Sequence, residues 1–458
     1  MLDSKERFNA PKCAENTRVL TIEKLENWID SDNPNASMAW LHGAVGAGKT
    51  ALAQTLAELY KRRKRLVGNL FFSRTSTSSQ SNDGDRLIPT LVFQLLQAFD
   101  GIGQDVEKQI LKYPNIFTDS RNVQMRHLFI DPLIARRRHL PQRIRRLLGK
   151  VIAAKDETKH GWLVVIDGLD ECEDPNIQED LLRILAEAIP KLPFRFRFLV
   201  TSRAEAHILR TFDHHPAFAG IQVQRINLGE NPDAVEDIQR VLELEFQTIR
   251  RTHPLAKYLD SNWPSPKDVK TLTSRASTQF IYVATVIKYI RSPKHRPDER
   301  LKIIIELSTP PASDKPYAPL DSLYSHVLSG VAEEHLADVI LIFSILHHLG
   351  LRKETLSRRF PNTLRGLEDL LMKKEGDLRI QLDPLRSLIA IPDDDFVRVK
   401  VYHASFFDYL LDEGRSGPFH IRHGSAEEAL TLHDITMMSD YLSNPDCGCE
   451  ILYYFTHK

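Results

Sequence analysis

The chain has 458 residues, with 61 Lys+Arg against 61 Asp+Glu and a 42% hydrophobic content. That length exceeds one small module and accommodates several domains, each with its own core. A formal charge of zero provides no global field for nucleic acid or an anionic membrane, so neither is expected as a partner.

The N-terminal MLDSKERFNA lacks the apolar core of a secretory signal. Cys13, Cys172, Cys447 and Cys449 are scattered without a disulfide framework, which suits a reducing compartment, and a cytoplasmic location is the expectation. Cys447-Gly448-Cys449 has no second pair at zinc spacing, so no structural metal is expected there.

Residues 1–35 read as a helical segment preceding the first strand, Met38-Ala39-Trp40-Leu41. Next comes Gly43-Ala44-Val45-Gly46-Ala47-Gly48-Lys49-Thr50, which fits the phosphate-binding pattern G-x-x-x-x-G-K-[ST] at every fixed position. The glycines let backbone N–H groups turn inward around phosphate, Lys49 adds a positive charge, and Thr50 offers its hydroxyl to Mg²⁺. Leu52, Leu56, Leu59 and Tyr60 follow at helical spacing, giving the strand, loop and helix that this pattern requires. Residues Gly43 through Ala51 are therefore the predicted site for ATP or ADP.

Apolar runs near 38–42, 66–72, 162–167, 196–201 and 221–228 alternate with helical patterns. This is the sign of an α/β fold with a parallel sheet and crossover helices over 36–230. The polar stretch 73–85 reads as an exposed loop. The basic run Lys61–Arg65 falls where the helix after the glycine loop should end, a position where the helix dipole favours cations. Arg136-Arg137-Arg138 through Arg145-Arg146 sit in a long insertion and read as either a solvated helical face or a docking surface.

Leu163-Val164-Val165-Ile166-Asp167 delivers a carboxylate at the C-terminal end of a buried strand, the edge at which open α/β sheets bind ligands. Asp167 is the predicted Mg²⁺ partner alongside Thr50. Asp170 and Glu171 follow as candidates to orient an attacking water. Gly168 occupies the place directly after Asp167, so hydrolysis would rest on those two acids and slow turnover is expected. Phe198-Leu199-Val200-Thr201-Ser202-Arg203 ends in a polar triplet at the same edge, and Arg203 is a candidate reader of terminal phosphate charge.

Beyond 230 strands become sparse and a helical pattern opens at Asp237, Ile238, Val241, Leu242 and Leu244. The Pro-rich stretch 309–316 reads as a linker, which places a helical domain at 231–310 and leaves 311–420 and a C-terminal helical segment at 421–458. Val339–Leu351 is too short to span a bilayer and reads as a buried helix.

Together, GAVGAGKT, LVVIDGLDEC and FLVTSRAE in this order resemble the NACHT family of signal-transducing P-loop NTPases (STAND class), in the fungal, nephrocystin-like branch. Pro11-Lys12-Cys13 with Thr17-Arg18 and Trp28 is similar to the segment that lies near the base in that family. Val401-Tyr402-His403-Ala404-Ser405-Phe406-Phe407-Asp408-Tyr409-Leu410 is similar to its winged-helix motif. The resemblance implies that 311–420 is winged-helix-like, that His403 reaches the β-phosphate of ADP, and that the chain is a nucleotide-operated switch in defence or regulated cell death. Protein partners or self-association through unknown surfaces are implied with it. Where many relatives carry Gly-Leu-Phe, this chain has Thr278-Gln279-Phe280. Effector and sensor modules are not recognisable at either end, which predicts a truncated or adaptor-like member. The rival reading is a non-hydrolysing ADP-bound scaffold. A small-molecule kinase or a remodelling motor would need an arginine-bearing lid or a trans-acting arginine, and neither is identifiable.

Overall fold

The computed structural model describes residues 10–73, 82–139, 161–230, 233–307, 317–351 and 362–443. The chain divides into two compact units, one running to Asp237 and the other starting at Ile238, with the division inside the helix Ala234–Thr252.

The first unit is built on five parallel strands: β1 (Met38–His42), β2 (Leu66–Phe71), β3 (Trp162–Asp167), β4 (Phe196–Ser202) and β5 (Val223–Asn227), in the order β2-β3-β4-β1-β5. Their near-continuous apolar runs reflect burial on both faces. Strand side chains alternate between the faces. Trp40, Val164, Ile166, Phe198 and Val200 enter one core, while Ala39, Leu41, Leu163, Val165 and Leu199 enter the other. The first core is covered by the helices Leu87–Ala98 and Pro175–Ala188, and the second by Val19–Asp30 and Lys49–Arg62.

Two polar side chains hold this sheet in place. Gln94 reads the edge strand β2, its Oε1 accepting from Asn69 N–H at 2.6 Å and its Nε2 donating to the Asn69 carbonyl at 2.9 Å, so part of the open edge is satisfied from within. Arg197 on β4 is fully buried and donates through Nη2 to the carbonyls of Ser31 at 2.6 Å and Asn33 at 3.1 Å, fixing the turn that leads into β1. Burial pushes its guanidinium down to about 10, with Arg195 adding to the effect.

The basic run Lys61–Arg65 falls as expected, since the helix ends at Arg62 with Lys61 and Arg62 in its last turn. The polar stretch 73–85 differs from its reading as an exposed loop. Residues 74–81 lie outside the described residues, but Asn82 and Gly84 are buried, because Gly84 lies against Ile177, Cys172 and Leu181 of the following layer. In the basic insertion, Arg136 lies on the helix Asp131–His139, contacts the Asp100 carbonyl and covers the Phe99 ring. Arg145 and Arg146 lie outside the described residues, as do Cys447 and Cys449. Cys13 and Cys172 are free thiols.

The second unit is mostly helical and holds one hydrophobic cluster running from Ile238 to Leu430. Ile304 and Leu320 belong to that same cluster, so residues on both sides of the Pro-rich stretch 309–316, itself outside the described residues, share a core rather than forming separate ones. Thr278-Gln279-Phe280 retains the expected helix, Phe280–Ile290, with Gln279 as its N-terminal flank. Two short strands, β6 (Ile389–Ala390) and β7 (Lys400–Val401), pair antiparallel before the helix Ala404–Leu410. The apolar run at 339–351 is the end of the helix Glu333–Leu351, with Val339, Ile342, Phe343, Ile345, Leu346 and Leu349 buried. Among the described residues no helix is long and apolar enough to cross a membrane.

Candidate functional site

The site forms where β1, β3 and β4 end on one edge of the sheet. β1 runs into the glycine loop, whose Gly46 and Gly48 adopt φ of 78° and 92°, values that only glycine takes without steric cost. The helix Lys49–Arg62 starts immediately afterwards, so the first unpaired N–H groups and the positive end of the helix face the loop, the standard setting for phosphate. Gly43 through Ala51 are thus brought together as one cradle.

Lys49 Nζ donates to the carbonyls of Gly43 at 2.8 Å and Ala44 at 3.0 Å. Burial lowers its pKa from the ordinary 10.5, and Arg203 adds to the lowering, while Asp170, Asp167 and Glu171 oppose it. Those acids and the arginine therefore surround the loop lysine electrostatically.

β4 lies between the glycine-loop strand and the Asp167 strand. Its polar end consequently touches both sides. Thr201 Oγ1 donates to Asp167 Oδ1 at 2.6 Å and accepts from Gly168 N–H at 3.0 Å, locking the carboxylate at the strand end. Gly168 turns there with a φ of 71°, which a side chain would oppose. Asp167 is 2% exposed. Ser202 Oγ accepts from Trp40 Nε1 at 2.8 Å, which ties β4 to β1. Asp167 and Thr50 offer a carboxylate and a hydroxyl, the hard oxygen donors that suit Mg²⁺.

Asp170 and Glu171 sit on the turn Leu169–Glu171, with Asp170 buried and Glu171 half-buried. Asp170 holds Arg203 twice, accepting its backbone N–H on Oδ1 at 3.0 Å and its Nε on Oδ2 at 3.1 Å. Arg203 is thus paired with a buried acid rather than with a surface carboxylate. Behind this turn, Gln178 is 1% exposed; its Nε2 donates to the Cys172 carbonyl at 2.8 Å and its Oε1 pairs with His207 Nε2 at 2.8 Å.

Thr201 stood in the polar triplet, but its contact to Asp167 is a pairing between strands that no local pattern encodes. Arg18, noted only as part of a base-proximal segment, is more engaged than that suggests. It is 3% exposed, donates Nη2 to the Ala47 carbonyl of the glycine loop at 2.8 Å, and donates its backbone N–H to Asp237 Oδ2 at 3.0 Å.

His403 lies in the second unit at the N-terminal flank of the helix Ala404–Leu410. Its Nδ1 accepts from Ser405 N–H at 3.1 Å and lies 2.7 Å from Ser405 Oγ, which is 2.9 Å from the Tyr324 hydroxyl. With Nδ1 accepting, the neutral imidazole carries its proton on Nε2.

A glycine-loop cradle with its lysine, a buried strand ending in an acid and parallel strands in this order define a nucleotide-binding P-loop NTPase. Residues 16–203 match the family model described as nephrocystin 3, N-terminal, so this P-loop NTPase has a nephrocystin-like relationship. Among solved structures, the ORC2 protein of Aeropyrum pernix in ADPNP-ADP complexes is 13% identical over 95% of this chain and 97% of that one, with a TM-score of 0.36. The Walker-type ATPase paby2304 of Pyrococcus abyssi is 15% identical over 89% and 98%, with a TM-score of 0.37. Comparison with curated proteins finds no match.

Proposed function

We propose that this chain is a NACHT-type switch of the STAND class, in which ADP holds a resting form and exchange for ATP releases a form that assembles with itself or with protein partners. Thr50 and Asp167 hold Mg²⁺, and Gly43 through Ala51 hold the phosphates. The observation that carries the reading is the Arg203–Asp170 pair beside the Lys49 loop. A ligand shifts a conformational equilibrium only through different affinity for its two states. A terminal phosphate competes with Asp170 for the Arg203 guanidinium, whereas a diphosphate leaves the pair intact, and this supplies the difference.

Because both oxygens of Asp170 contact Arg203, Glu171 is the acid assigned to orient the attacking water, with Asp170 as the holder of Arg203. Turnover is slow, since Gly168 stands where an acid would directly follow Asp167. Residues 311–420 act as the winged-helix-like part, and His403 contributes an Nε2 donor to the β-phosphate of ADP. The setting proposed is cytoplasmic signal transduction in defence or regulated cell death.

The test is the nucleotide content of purified wild-type, Lys49→Ala and His403→Ala protein, read by denaturation and separation of released ADP and ATP. ADP in the wild type and its loss from both variants is the expected result. Retention of ADP in His403→Ala removes the histidine from the mechanism, and a wild type that neither carries nor binds nucleotide overturns the switch.

A further inference from the structure

The second unit holds a small pocket, open to solvent, between the helix Phe280–Ile290 and the segments around β6, β7 and the helix Ala404–Leu410. Leu388 and Phe406 form apolar wall, while Lys288, Ser387, Tyr402 and His403 supply the polar lining. Among the described residues no carboxylate lines it.

Two features here are unfavourable as they stand. Lys288 Nζ lies over the Tyr402 ring, an attractive cation–π contact that holds the amine at the pocket, but the charged group that acts on it is another cation, Lys400. Ser387 is 6% exposed, and its hydroxyl has no hydrogen-bond partner among the described residues. Like charges brought together and a buried unsatisfied hydroxyl both cost free energy, and one oxyanion offsets both. Burial and Lys400 push the Lys288 amine down to about 8, so it is mostly protonated at neutral pH and remains a cation there.

We propose that this pocket is a phosphate-type oxyanion site separate from the P-loop, with the Lys288 ammonium and the Ser387 hydroxyl as donors and Lys400 as supporting charge. Neither donor belongs to the nucleotide reading above, and the two carry the test.

Lys288 is reachable from solvent, so its reaction with acetic anhydride reports occupancy. The experiment pulses the full chain, wild type and Lys49→Ala, with and without inorganic phosphate, and maps acetylation by mass spectrometry with exposed Lys267 as the internal reference. At phosphate ten times its Kd only the unliganded fraction reacts, so acetylation of Lys288 slows roughly tenfold while Lys267 is unaffected. That protection persists in Lys49→Ala. Ser387→Ala keeps the unprotected rate and needs more phosphate for the same effect. The proposal is overturned if phosphate leaves the Lys288 rate unchanged or if chloride at equal ionic strength slows it as much. It is also overturned if protection disappears with Lys49, an outcome that assigns the anion to the P-loop and leaves the switch reading standing.

Discussion

Asp170 grips Arg203 at two points, its Oδ1 on the backbone N–H at 3.0 Å and its Oδ2 on Nε at 3.1 Å, and the carboxylate that does so is almost wholly removed from solvent. A buried acid committed to an arginine at the strand edge fixes where that guanidinium rests and makes its release a discrete event.

Asp170→Asn keeps an acceptor for the backbone N–H and removes the charge. A hydrogen bond to a charged group contributes about 2 kcal/mol, so urea unfolding of the P-loop unit shifts by that order. ATP hydrolysis falls in the same variant while ATP binding persists, as measured by equilibrium titration with a labelled nucleotide.

Lys49→Ala removes a charge-assisted contact to phosphate. A loss of about 2.7 kcal/mol corresponds to roughly 100-fold in Kd for ATP, measured by calorimetry. The pH profile has a definite sign. Burial lowers the Lys49 pKa from 10.5, so the ammonium that binds phosphate is lost at lower pH than for a free lysine, and wild-type affinity declines on the alkaline side before pH 10.5. An affinity flat up to that pH removes Lys49 as the cation.

Ser405→Ala loosens the imidazole of His403, because Ser405 Oγ links His403 Nδ1 to the Tyr324 hydroxyl at 2.7 and 2.9 Å. ADP retention drops part of the way toward that of His403→Ala, with the Lys49-dependent binding of fresh ATP unchanged. Dialysis followed by nucleotide quantification reads both.

Gly161→Ala tests the packing that delivers the acid strand. A Cβ there would sit 2.3 Å from the Ile29 carbonyl oxygen, a backbone atom that cannot swing away. Overpacking of this kind costs about 1–3 kcal/mol, visible as a lower unfolding midpoint of the P-loop unit.

The strands β1 to β5, the glycine loop and the helix behind it were legible in the residues, because each is coded by local spacing: apolar runs for strands buried on both faces, glycines where φ is positive, and apolar side chains at helical intervals. The helix end at Lys61–Arg65 followed from the same local rules. Asn82 and Gly84 escaped that reading, since a polar, glycine-containing stretch looks exposed until Ile177 and Cys172 close over it.

The chain by itself therefore determined that a glycine loop of the phosphate-binding pattern follows β1 and which residues form it. Only the tertiary structure decided how those residues act on one another, by inserting β4 between β1 and β3. That order pairs Thr201 with Asp167 across 34 residues of sequence and Arg203 with Asp170 across 33, while Arg18 meets Asp237 across 219. Periodicity reports which face of its own element a side chain occupies. It carries no information about which distant element comes to lie beside it, because that choice is made by the packing of the sheet and the helices that cover it.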